Sequence, residues 1–348
     1  MKMKKIFAVI LVLAMSLLAV TGCSKSAKSN GGASGKDKVT QTINIKFDGE
    51  VGRCDYNIVS KGTGKTSSFS VNGMADFDKM VGKLNISAED LLVVANNKLY
   101  LNAKSVMDIL KNVDSDIELP DIEADYLYLD MKGVEEFLSD VSNKALKVYF
   151  DAFKDGYKDI ATSTGDKVVV KVSNAEEAGK FIEATADIIE DNADAWADMT
   201  MEAYEKIDME KLIDTVLDGV VDSMVKMYSD AGMAVDDSMK DQLKEAAKSQ
   251  IDTSMLEIKK EDLVDAYKEY AKELRDEADI DEFDAVAEIV LETKATGYGA
   301  EIKISNDKNS LEITMDVDTV SPVEVKAPAK AQNVMDVISA FSQIFGSF

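Results

Sequence analysis

Apolar and polar residues alternate at both ends of the chain, and apolar residues recur at three-four spacing through its middle. Near the N-terminus Ile43, Ile45 and Phe47 are separated by polar neighbours, and Phe69, Val71, Ala75 and Phe77 repeat the pattern with Gly73 interrupting it. A period of two sends every second side chain to the same sheet face, so residues 41–101 read as strands with one solvated side. Gly62-Thr63-Gly64 marks a connection. Asn96-Asn97 joins residues 91–95 to residues 98–101 as a tight hairpin, because asparagine tolerates the left-handed conformation of such turns.

A second strand group spans 287–325. Ala300, Ile302 and Ile304 alternate with Glu301, Lys303 and Ser305, residues 306–309 form a turn, and Leu311, Ile313, Met315 and Val317 return. Between the two groups, residues 133–284 read as a helical block, and proline is absent between Pro120 and Pro322. Its longest stripe runs through Met209, Leu212, Ile213, Val216, Leu217, Val220, Val221, Met224, Val225 and Tyr228, with charged residues opposite. Val134, Phe137, Leu138, Val141, Phe150 and Phe153 mark a second helix, and Leu263, Val264, Tyr267, Tyr270 and Leu274 a third. Such stripes draw most of their stability from a partner surface.

The chain also echoes itself. Leu99-Tyr-Leu-Asn102-Ala-Lys104-Ser-Val106 is repeated as Leu127-Tyr-Leu-Asp130-Met-Lys132-Gly-Val134, each copy reading as a strand that leads into a helix. A third strand-to-helix step follows at residues 168–182, where Ser173-Asn174-Ala175-Glu176 has a capping-box arrangement. Strands at both ends and helices between them predict an α+β fold. In it a curved antiparallel sheet, built from the N- and C-terminal strands, is covered on one face by the central helices. The domain spans 39–330, and a C-terminal helix is expected over 331–348. A sheet domain carrying a separate helical insertion is the alternative arrangement.

The leader changes the picture most. Lys2, Lys4 and Lys5 precede an uncharged apolar run over 6–20 that ends in Val20-Thr21-Gly22-Cys23. The run is shorter than the roughly 20 residues of a membrane-spanning helix and has the layout of a secretory signal, predicted over 1–22. Its end resembles the lipobox of bacterial lipoproteins. That resemblance implies cleavage after Gly22, diacylglycerol on Cys23, and anchoring at the extracytoplasmic face of a bacterial membrane. Residues 23–38 are rich in Ser, Gly and Lys and read as a flexible tether. With Cys23 acylated, Cys54 has no partner and is expected as a half-buried strand cysteine.

Composition then excludes several chemistries. The sequence has no histidine, which removes Ser-His and Cys-His catalysis and His-bearing zinc sites. Its formal charge of -25 repels phosphate backbones, so nucleic acid is not an expected partner. Gly64-Lys65-Thr66 lacks the first glycine of a P-loop, which falls at Val59. Ser223-x-x-Lys226 and Ser305-x-x-Lys308 have serine-lysine spacing without the companion motifs. Asp191, Asp194 and Asp198 share one helix face and read as a solvated surface, since they lack EF-hand spacing. Asp279, Asp281, Glu282 and Asp284 read the same way. No catalytic residue, metal or cofactor is implied.

The apolar inventory points instead to a ligand. Seventeen methionines are present, several of them in the helical block, and methionine suits adaptable apolar surfaces. A hollow between helices and sheet is expected, lined by Met209, Ile213, Val216, Val220, Met224, Ile302, Ile304, Ile313 and Met315. The lipobox, the strand-helix-hairpin order and the closing Pro322-Val-Glu-Val-Lys-Ala-Pro328 look like the bacterial lipoprotein-carrier and mycobacterial lipid-transfer lipoprotein superfamily. That resemblance implies a half-barrel with helices over its mouth and acyl chains inside. The expected function is a non-enzymatic lipoprotein that binds a lipid or other apolar molecule at the cell envelope. The alternatives are an acidic structural or interaction module that meets an envelope protein or wall polymer, and an envelope hydrolase.

Overall fold

The computed structural model describes residues 38–63, 66–77, 82–113, 122–230, 236–250, 258–280, 282–321 and 323–334. Cys23, the signal and nearly all of the tether lie outside these residues, as does most of the expected C-terminal helix. Five strands come first: β1 (Lys38–Gly49), β2 (Gly52–Thr63), β3 (Thr66–Phe77), β4 (Gly82–Ala95) and β5 (Lys98–Asn102). Next are α1 (Ala103–Val113), β6 (Tyr126–Asp130), α2 (Val134–Gly156), β7 (Lys167–Val172) and α3 (Ala175–Tyr204). The helices α4 (Met209–Asp230), α5 (Asp237–Gln250) and α6 (Lys260–Asp276) precede β8 (Val286–Lys294), β9 (Gly297–Ser305), β10 (Ser310–Asp318) and β11 (Ala331–Asn333).

All eleven strands form one curved, open sheet in the order β11-β6-β5-β4-β3-β2-β1-β10-β9-β8-β7. The two terminal strand groups meet where β1 pairs antiparallel with β10, Ile43 opposite Met315 and Ile45 opposite Ile313. Every pairing between named strands is antiparallel except that of β11 with β6. β11 occupies the first three residues of the expected C-terminal helix. Backbone pairing with the free edge of β6 prevails there over helix formation.

The echo in the sequence is a structural pair. Leu99, Tyr100 and Leu101 of β5 stand opposite Leu129, Tyr128 and Leu127 of β6. Each copy then leads into its helix. Asn96 and Asn97 adopt the left-handed conformation, with φ of 58° and 55°. The capping box lies one residue further on than the sequence suggests. Asn174 caps α3 by accepting from Glu177 N at 3.0 Å, and the Glu177 carboxylate reaches back to Ser173 N at 2.7 Å. The Ser173 hydroxyl, donating to the same carboxylate at 2.8 Å, and the Ser173 N–H hold the Glu177 carboxyl below its usual range. Asn174→Ala is expected to remove about 1 kcal/mol of stability, read as a lower urea midpoint.

Helices cover one face of the sheet, here called the inner face. On it, Val39 and Ile43 of β1 and the inward residues of β7–β10 join α2, α3 and α6 in one core cluster. Aromatic rings dominate the helical side. Phe150 stacks at 4.7 Å on Tyr298 of β9, Tyr157 lies 5.3 Å from Phe181, and Trp196 sits between Tyr149 at 4.5 Å and Tyr267 at 5.7 Å. Thr185 Oγ1 donates to Phe181 O at 2.7 Å, so the buried Tyr157 hydroxyl donates to Thr185 at 2.9 Å. Burial pushes the Tyr157 phenol well above its ordinary value.

The outer face is polar across its centre, where Asn57 donates to Asn44 at 2.8 Å and Asn44 to Thr314 at 3.1 Å. At the β5–β6 end of that face, Val325, Ala327 and Ala331 cover Val93, Ala95 and Tyr100. The edge of β4 beyond the short β5 is met by side-chain amides. Asn102 donates to Glu89 O and Asn112 of α1 to Asn85 O, both at 3.2 Å. These amides satisfy carbonyls that would otherwise be open to a foreign strand.

Candidate functional site

The inner face divides into two unlike halves. Across β7–β10 the inward residues are sealed: Val168, Val170, Ile289, Leu291, Ile302, Ile304, Ile313 and Met315 are all buried in the core cluster. Across β3–β6 the inward row is apolar but incompletely covered. Phe69, Val71, Leu84, Ile86, Leu92, Leu99, Leu101 and Leu129 are each partly buried, while Ala75, Ala88, Val94 and Leu127 between them are buried. Their shared face follows from register, since Phe69 pairs with Leu92, Leu92 with Leu101 and Leu101 with Leu127.

A bulge bends this half. Between Phe69 and Val71 of β3 the partner residues on β4 jump from Leu92 to Ala88, and Asp90 takes a positive φ of 46°. Ser70 Oγ accepts from Asp90 N at 2.9 Å and fixes the distortion. Bulges of this kind increase strand bend and twist, which curves the β3–β4 pair. Gly73 lies on the inner face beside Tyr56. An added Cβ there would stand 2.3 Å from Asp55 O and 2.5 Å from the Tyr56 ring, so glycine is what lets the β2 main chain and this ring come so close.

The expected hollow is not assembled as the sequence suggests. Ile302, Ile304, Ile313 and Met315 belong to the sealed half, where aromatic rings of α2 and α3 occupy the space. Met209 and Ile213 are partly buried on α4 and lie outside that cluster, and Met224 is exposed. The side chains of Val216 and Val220 lie outside the described residues. α4 packs instead with α5, tied by Lys240 to Asp222 at 2.7 Å and by Lys244 to Asp218. A helical stripe shows that a face is buried without showing against what.

The start of α4 is fixed at one end of the sheet. Asp208 N donates to Lys132 O at 3.3 Å, Lys132 Nζ reaches Asp208 at 3.0 Å, and Asp208 caps Lys211 N at 3.1 Å. Lys132 beside it holds the Asp208 carboxyl below its usual range. This is also the end at which the chain enters, because Lys38 opposite Thr63 and the Asn96-Asn97 turn share it. It is called the tether end below.

The remaining sequence candidates resolve simply. Cys54 is a free, partly buried cysteine on β2, and burial pushes its thiol up. Asp198 and Asp194 face α6, where Lys260 lies 2.7 and 3.8 Å from them and Lys268 is 3.9 Å from Asp194. Among the described residues no group of His, Cys, Asp and Glu is arranged to hold a metal ion. Lys308 pairs with Glu50 at 3.1 Å. Two depressions, of about 510 and 600 Å3, are lined largely by polar and charged residues such as Lys46, Lys303, Glu312 and Asp316. Asp316 is already paired with Lys294 at 3.0 Å.

Sequence reading missed Gln41, Ser60 and Ser67. All three are polar, buried and on the inner face. The signal was present: Gln41 occupies an inward position of the alternating run Val39, Gln41, Ile43, Ile45, Phe47. Comparison of the chain with family models, with curated proteins and with solved structures finds no match.

Proposed function

We propose that this chain is a non-enzymatic lipoprotein, anchored through Cys23 at the extracytoplasmic face of a bacterial membrane, that binds a lipid or other apolar molecule against the inner face of β3–β6. One observation carries the reading: eight apolar side chains on the inner face of β3–β6 keep partial exposure around the buried Ala75, Ala88, Val94 and Leu127, whereas the inward residues named on β7–β10 are all buried. Neighbouring apolar side chains that all keep some accessibility are where an apolar partner gains most by completing their burial. The anchor supplies the source. Fourteen residues separate Cys23 from β1, and a Ser/Gly-rich tether of that length has a mean span of about 20 Å. The domain therefore works within reach of the bilayer. The architectural resemblance to envelope lipid carriers adds to the reading without assigning residues.

Uptake of a fluorescent fatty acid by the full chain tests it. Ile86→Asp places a charge among the apolar side chains and is expected to weaken uptake about tenfold, because the carboxylate loses solvation against an acyl chain. Val286→Asp, at a valine that is 56% exposed on β8, is expected to leave uptake unchanged. Equal binding by both variants would contradict this location.

A further inference from the structure

The inner face of β1–β6 is mainly apolar, with Cys54 and Tyr56 on β2 and a polar group at the tether end. Among the described inward residues of these strands no side chain is charged, and at the tether end Gln41, Ser60 and Ser67 interrupt the hydrocarbon. Register places them together. Gln41 of β1 stands opposite Ser60 of β2, Ser60 opposite Phe69 of β3, and Ser67 lies two residues along β3 from Phe69 on the same face. The three are 2%, 6% and 9% exposed. Gln41 Nε2 is buried without a hydrogen-bond partner.

A buried donor left unpaired costs about 1–3 kcal/mol, and such groups are rare in folded proteins. Leucine or valine at this inward position would avoid the cost. Gln41 is one strand away from the partly buried apolar row: Ser60 of β2 stands between it and Phe69, and Phe69 leads on to Leu92 and Leu101. An amide donor and two hydroxyls, with no cation beside them on this face, suit an uncharged oxygen acceptor. They do not suit a carboxylate or phosphate, whose buried charge would lack a counterion.

We propose that Gln41, Ser60 and Ser67 form the polar subsite for the ester of an uncharged acylglycerol whose acyl chain lies along Phe69, Leu92 and Leu101. The inference rests on the lipid-binding reading above and adds the ligand's class and direction. The glycerol ester sits at the tether end, nearest the membrane, and the chain runs away from it across the sheet. Gln41 Nε2 donates to the ester carbonyl, which supplies the acceptor the protein lacks.

Competition against a fluorescent acyl probe bound to the full chain separates the possibilities. The competitors are 1-oleoylglycerol, oleate and 1-octadecene, which share chain length and differ at the head. The expected order is 1-oleoylglycerol first, with roughly a tenfold preference over 1-octadecene, the worth of one hydrogen bond to a buried donor. Gln41→Leu is expected to bring that ratio close to one while 1-octadecene binds as before, and Ser60→Ala to lower it in part. A merely structural glutamine would leave the ratio unchanged in both variants. That result, or a preference for oleate, overturns the subsite. If the unsubstituted chain takes up no probe at all, the lipid-binding reading itself fails, and the subsite with it. Ser60→Ala keeps the test decisive should Gln41→Leu fail to fold.

Discussion

Phe150→Ala is expected to destabilise the protein by about 3–5 kcal/mol, the range for deleting a fully buried phenylalanine. Phe150 is 1% exposed and comes from α2, its ring 4.7 Å from Tyr298 on β9. The loss has two parts. Transfer of the ring out of water is forfeited, and the void cannot close readily because Tyr149 and Phe153 of α2, and Tyr157 just after it, are held by rings of α3, with the Tyr149 hydroxyl 3.3 Å from that of Tyr267 on α6. Phe150→Leu keeps most of the volume and is expected to lose less than about 1.5 kcal/mol. Leu101→Ala, on the partly covered half, is expected to lose less than half of the Phe150→Ala value, because Leu101 has less burial to forfeit. Urea unfolding followed by circular dichroism measures all three. Similar losses for Phe150→Ala and Leu101→Ala would mean that the two halves are equally sealed.

Gly133→Ala is the second large effect, and it acts through the backbone. Gly133 has φ +87°, where a Cβ costs about 1–2 kcal/mol. The added Cβ would also lie 1.8 Å from Lys206 O, far inside contact distance and against main chain rather than a movable side chain. Gly133 N donates to Asn97 Oδ1 at 3.1 Å, Asn97 N to Glu135 at 3.0 Å and Met131 N to Asn97 O at 2.9 Å. One glycine thus joins the β4–β5 turn, the start of α2 and the α3–α4 junction. The combined loss is expected to be about 3 kcal/mol or more, as strain and overlap add. Gly165→Ala is the matched control: its φ is +118°, with nothing within 4 Å of the added Cβ. If the two substitutions are equally destabilising, the close approach of Lys206 is not part of the native fold.

Much of the fold is legible in the residues. The Asn96-Asn97 and 306–309 turns, the alternating strands on either side of them and the two Leu-Tyr-Leu copies each carry local signals strong enough to fix an element. β2 was harder to read, because its inward side chains are Cys54, Tyr56, Ile58 and Ser60, a mixed set without clean apolar alternation. Tertiary partners were less legible than elements. The α4 stripe is real, yet α2 and α3 bring the rings that fill the face opposite Ile302 and Ile313, and periodicity cannot rank one apolar stripe against another as a partner. The proposed site was hidden for the same reason. Partial burial at Phe69, Leu92 and Leu101 depends on what does not reach them, and Gln41 stands out only once its neighbours across the sheet are known.

Mass spectrometry of an organic extract from purified, gently washed full-length protein tests lipid binding most directly. Occupancy of the open half of the inner face predicts uncharged acylglycerol in amounts comparable to the protein, reduced in Ile86→Asp preparations. A lipid-free extract, from protein that also ignores added fatty acid probes, would contradict it.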